Sequence, residues 1–117
     1  MFLQLAHTRL GVFKESQLLA LECYKITKQF PSDEKFALTQ QIRRAAISVH
    51  LNIAEGSSRK SEQERKRYYE IARGSVIEID TAIGIAHKLN YCSLELIQPL
   101  GENIIKTFKI LSGMISH

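Results

Sequence analysis

The stretch QQIRRAAISVHLNIAEGSSRKS, residues 40–61, places Ile42, Ala45, Val49 and Ile53 three or four residues apart. That is the repeat of a helix with one apolar side. Arg44, Ser48, Asn52 and Glu55 follow at spacings of four, four and three, so a polar row flanks the apolar one on the same helix. The segment predicts a helix that packs by its apolar side and presents a polar edge to a neighbour, ending where Gly56 offers a left-handed cap.

The same spacing extends outward to predict an all-α fold, an antiparallel up-down-up-down four-helix bundle in one domain, residues 1–117, with helices over about 12–29, 33–55, 62–89 and 94–115. The first helix carries Leu19, Cys23, Ile26 and Phe30 on one side and stops at Pro31. Ser32 is placed to cap the second, whose row begins at Leu38, with Asp33 and Glu34 against its positive end. Ser61 and Glu64 form a capping box for the third. Its seam is Tyr69, Ala72, Val76, Ile79, Ile83 and Ala86, and Asn90 ends it. Leu94, Ile97, Ile104, Phe108, Leu111 and Ile115 give the fourth a seam, with Pro99 expected to bend its first turns. No period-two run predicts a strand.

Composition agrees with a globular domain: 117 residues, 44% hydrophobic and 24% charged, with two prolines. No apolar run approaches the roughly 20 residues that span a bilayer. The start, from Met1 to His7, lacks a basic leader and a cleavage signature, so a cytoplasmic location is expected. Cys23 and Cys92 stand alone and read as packing residues.

The polar row has two readings. Gly74, Glu78 and Thr81 repeat its spacing on the third helix, and Gly74 with Ser75 would let the two backbones approach closely. Arg43, Arg44, Ser48, Asn52, Glu55 and Glu78 then form a network that fixes register, with Glu78 partnering Arg43 or Arg44. Removing Glu78 would strand a desolvated arginine, at a cost of about 3 kcal/mol. The other reading is a binding cleft.

The run from Ile42 to Ser48, then Asn52-Ile53-Ala54-Glu55-Gly56, then Gly74-Ser75 with Glu78 and Ala86, resembles the four-helix-bundle family encoded in intervening sequences of bacterial large-subunit ribosomal RNA genes. Tyr24 to Lys28 followed by Phe30-Pro31 resembles its first helix, so the likeness runs from about Phe13 to the C-terminus, with residues 38–91 carrying nearly all its specificity. The resemblance implies a homo-oligomer, a five-membered ring, and kinship with the accessory variability protein of diversity-generating retroelements, which binds nucleic acid beside a reverse transcriptase. A reverse transcriptase or another protein partner is therefore implied for this chain. Two positions depart from the pattern: His50-Leu51 replaces proline and a small polar residue, and Arg73 replaces an apolar one.

Charge is local. Residues 43–73 hold eight basic and four acidic residues, a surplus of four that equals the chain's formal net charge of +4. Arg59 and Lys60 precede the third helix, whose free N–H groups attract phosphate, and Arg65, Lys66 and Arg67 follow in its first turns, with Arg73 further along. These six are the candidate contacts to RNA or DNA. Glu62, Glu64 and Glu70 can neutralise several of them. No base-reading motif accompanies the cluster, so contact with the phosphate backbone is the expected mode.

Catalytic motifs are missing. The run Gly56 to Ser61 lacks the second glycine and preceding strand of a phosphate loop. His7, His50, His87 and His117 have no zinc-site spacing, so no metal or cofactor is expected. His50 reads as an interfacial side chain rather than a ligand. The expectation is a non-enzymatic bundle that binds RNA or DNA, the alternative a protein-protein interaction scaffold.

Overall fold

A computed structural model describes residues 2, 3 and 5–117, Ala6 and Arg9 by their backbone alone. Met1 and Gln4, part of the start read above for a leader, lie outside the described residues. A short turn of tighter helix at Ala6–Arg9 leads into four α-helices: α1 Gly11–Thr27, α2 Leu38–Ser57, α3 Glu62–Lys88 and α4 Leu94–Ser116. No strand occurs among the described residues. Each helix packs on its chain neighbours and α4 closes on α1, while diagonal helices do not meet. Side-chain pairs cross in opposite chain order, Thr27 with Arg43 and Ser16 with His50, so α1 and α2 run past each other.

Every residue of the expected α3 seam is buried, as are Leu19, Cys23, Ile26 and Phe30 on the first side and Ile42, Ala45, Val49 and Ile53 on the second. Burial pushes the Cys23 thiol up to about 12, with Glu22 adding to it. The α4 seam holds only in part: Leu111 is buried and Ile97, Ile104 and Ile115 pack against the core. Leu94 is 67% exposed and Phe108 stands outside, whereas Leu100, Asn103, Thr107 and Leu111 face the core. Two polar residues can occupy that face because their donor groups have partners. Asn103 Nδ2 donates to the backbone carbonyl and Oε1 of Glu15, both at 3.1 Å, and the Thr107 hydroxyl donates to the Asn103 carbonyl at 2.8 Å.

The helix ends also differ from expectation. Ser32 begins a single tight turn, Ser32–Glu34, and α2 starts only at Leu38. Glu34 accepts the Leu38 N–H at 3.3 Å, so a carboxylate from the preceding turn serves the helix end. Gly56 lies inside α2, with no left-handed glycine among the described residues. Its role is steric: a Cβ there would sit 2.8 Å from Tyr69 Cε1 and 3.0 Å from Tyr68 Cβ. Gly74, by contrast, has open space around it and permits no close approach.

Ser61 caps α3 by accepting the Glu64 N–H at 3.1 Å. Asn90, at φ 65°, closes it with the paired bonds of a Schellman motif, Tyr91 N–H to the Ala86 carbonyl and Asn90 N–H to that of His87. Ser93 caps α4, which continues through Pro99 unbroken.

Candidate functional site

The polar row on α2 divides among three neighbours. Arg43 turns to α1, where Nε donates to Thr27 Oγ1 at 2.8 Å and the guanidinium lies 4.6 Å over the Tyr24 ring. Ser48 meets Ser75 of α3 at 2.9 Å, hydroxyl to hydroxyl, and Asn52 Nδ2 donates to the Ser48 carbonyl and hydroxyl at 2.8 and 3.1 Å. Glu55 pairs with Arg59, just beyond the end of α2, at 2.6 Å. The small network of Ser48, Asn52 and Ser75 fastens α2 to α3.

Glu78 forms no ion pair with Arg43 or Arg44 among the described residues. Arg44 and Glu78 are both exposed and flank an open cleft of about 260 Å³ between α2 and α3. Water solvates both charges there, so the expected 3 kcal/mol penalty has no physical basis. Equal spacing on two helices puts residues on facing edges without setting the distance across.

The basic cluster is more tightly engaged than its sequence suggests. Arg59 pairs with Glu55 and stands 5.0 Å over the Tyr68 ring, and its Nε is buried without a partner among the described residues. Arg65 Nη1 donates to the carbonyls of Arg59 and Lys60, at 3.1 and 2.7 Å, fixing the α2–α3 turn. Lys66 pairs with Glu62 at 3.0 Å, and this hydrogen-bonded lysine lowers the Glu62 pKa. Arg73 lies away from that corner, donating to Ser112 of α4 at 3.2 Å. Lys60 and Arg67 project into solvent. The corner therefore gathers Arg59, Lys60, Arg65, Lys66 and Arg67 but not Arg73, and internal carboxylates neutralise Arg59 and Lys66.

Three features escaped the sequence reading. Ser16, fully buried, lies 2.7 Å from His50 Nδ1 and donates to the Phe13 carbonyl at 2.9 Å. A serine hydroxyl has one proton; with it on that carbonyl, Nδ1 is the donor in the second bond. The His50 ring rests on Phe13, with centroids 4.3 Å apart. Burial first, and nearby His7 second, lower its pKa from 6.5. Tyr91 also joins the two connections at one end of the bundle, donating to Glu34 Oε2 at 2.7 Å. The third is a groove between α1 and α2 where Lys35, Phe36, Arg43 and Arg44 come together. Only the juxtaposition of Lys35 and Phe36 just before a helix hinted at it.

Among the described residues no three of His, Cys, Asp or Glu gather in a cluster able to hold a metal, and no helix is long and apolar enough to cross a membrane.

The family profile of the 23S rRNA-intervening sequence protein matches residues 8–113. Among solved structures, a protein of unknown function from the S23 ribosomal protein family of Bacteroides thetaiotaomicron superposes with a TM-score of 0.83 at 20% identity, covering 91% of this chain and 99% of that one. At that identity the likeness speaks for the fold. No curated protein matches the chain.

Proposed function

The chain belongs to the 23S rRNA-intervening sequence protein family, and from that premise we propose that it acts in the cytoplasm as a non-enzymatic, self-associating bundle that binds RNA or DNA through the phosphate backbone. Five copies is the number the family resemblance implies.

One observation carries the reading: large apolar side chains stand outside a core that is already closed. Leu21, Ile77 and Ile105 are each more than half exposed, on three different helices. Surfaces of this kind favour burial against another chain. Leu100, outside the spacing of the α4 seam, is nevertheless fully buried and takes no part. For nucleic acid the support is the surplus of four positive charges between Arg43 and Arg73.

Internal pairing of Arg59 and Lys66 favours the second reading, a protein-interaction scaffold that ignores nucleic acid. Light scattering at micromolar concentration should return a mass several times that of the 13.3 kDa chain; a monomer would remove self-association. Labelled RNA and DNA should be retained at low salt and released steeply as salt rises. No retention at low salt would leave the scaffold reading in place.

A further inference from the structure

A groove of about 680 Å³ runs between α1, the connection after it and α2. Lys35, Arg43 and Arg44 line it, and no carboxylate does among the described residues. Glu34, close in sequence, is turned to the Tyr91 hydroxyl and the Leu38 N–H instead. Arg44 has no ion pair among the described residues. An anion entering here meets three cations and no opposing charge.

Aromatic rings stand among those cations. Phe36 is 80% exposed, with Lys35 Nζ 5.4 Å from its ring centroid. Across the groove the Arg43 guanidinium is stacked on Tyr24 and held by its bond to Thr27. Flat groups that accept stacking, alternating with cations that accept phosphate, match the two chemical parts of an unpaired nucleotide. A duplex keeps its base faces inside and could use only the cations.

We propose that this groove binds single-stranded nucleic acid, with bases stacked on Phe36 and on the Arg43–Tyr24 pair and phosphates held by Lys35 and Arg44. The inference rests on the nucleic-acid reading above but places the contact on α1 and α2, away from the α2–α3 corner whose cations are partly neutralised.

The test is fluorescence anisotropy on the full chain, with a fluorescein-labelled oligothymidylate and with a duplex of equal length. The single strand should bind more tightly. Phe36→Ala should weaken it about tenfold while leaving the duplex nearly unchanged. Arg44→Gln should lower the salt slope by about one. Both side chains are exposed, so melting temperature should hold, and light scattering on the same samples should show unchanged mass. If the wild type binds and both variants bind equally well, the groove is not the site and the corner keeps its candidacy. Equal affinity for strand and duplex would remove the stacking. A wild type that binds neither would sink this proposal together with the nucleic-acid reading. A variant that loses mass would show instead that a second copy covers the groove.

Discussion

Arg65 and Glu78 show how differently two charged side chains of similar sequence setting can behave. Arg65 donates to two carbonyls at the α2–α3 turn, and those oxygens have few alternative donors at a helix end. Arg65→Gln should therefore destabilise the protein by about 1 kcal/mol, whereas Glu78→Ala, which removes an exposed charge with no ion pair among the described residues, should stay within about 0.5 kcal/mol of the wild type. Urea titrations of the two variants would check this, and equal losses would contradict it. His50 is a second residue whose surroundings decide its behaviour. Its folded pKa lies below 6.5, so the unfolded chain takes up a proton first as the solution is acidified. Stability is then undiminished above 6.5 and declines below it. Melting temperatures from about pH 7 to about pH 5 should fall less in His50→Asn than in the wild type. Spacing located Ser48 and Asn52 on the correct edge, but it carries no information on whether a side chain finds a partner or water. For that reason Arg44 and Glu78 were misread and Ser16 with His50 went unseen.

At the level of helices, α3 was legible in detail because its start, seam and end all obey local rules: Ser61 caps it, apolar residues recur on one side, and Asn90 takes the left-handed turn. α4 was not. A rule that turns apolar residues inward rotates it so that Phe108 faces the core, whereas hydrogen bonds to Glu15 and along the helix let Asn103 and Thr107 take that side. Gly56 illustrates the same limit, since a glycine near a helix end reads as a cap whether it needs a left-handed backbone or merely a missing side chain. The distinction is measurable. Gly56→Ala should destabilise by about 1–2 kcal/mol, because the added carbon would press on the buried Tyr69 ring and on Tyr68 Cβ, which carries no torsion of its own to turn aside. Gly84→Ala, with nothing within 4 Å of the added carbon, should stabilise α3 by up to about 1 kcal/mol. Thermal melts shifting in the same direction would refute the contrast.

For the molecule as a whole, short connections between four amphipathic helices made the bundle readable before any contact was known. Its outer surface was harder to read, because a large exposed side chain looks the same in sequence as a buried one. The polar inward face of α4 has a further consequence, in the order in which the bundle comes apart. Asn103 Oδ1 is buried without a hydrogen-bond partner among the described residues, and Pro99 leaves the Glu95 carbonyl without the donor that a helix would normally supply. On these grounds α4 should be held more weakly than α2 and α3, swinging open as a unit while the other helices stay closed. Deuterium uptake followed by mass spectrometry should find its amides exchanging through this partial opening, and those around Ile42 and Ile79 only on complete unfolding. Since Ile105 lies on the outer side of the same helix, self-association would hold the flap shut, and uptake in α4 should slow as protein concentration rises. Uniform protection along all four helices at every concentration would show that the bundle opens only as one body.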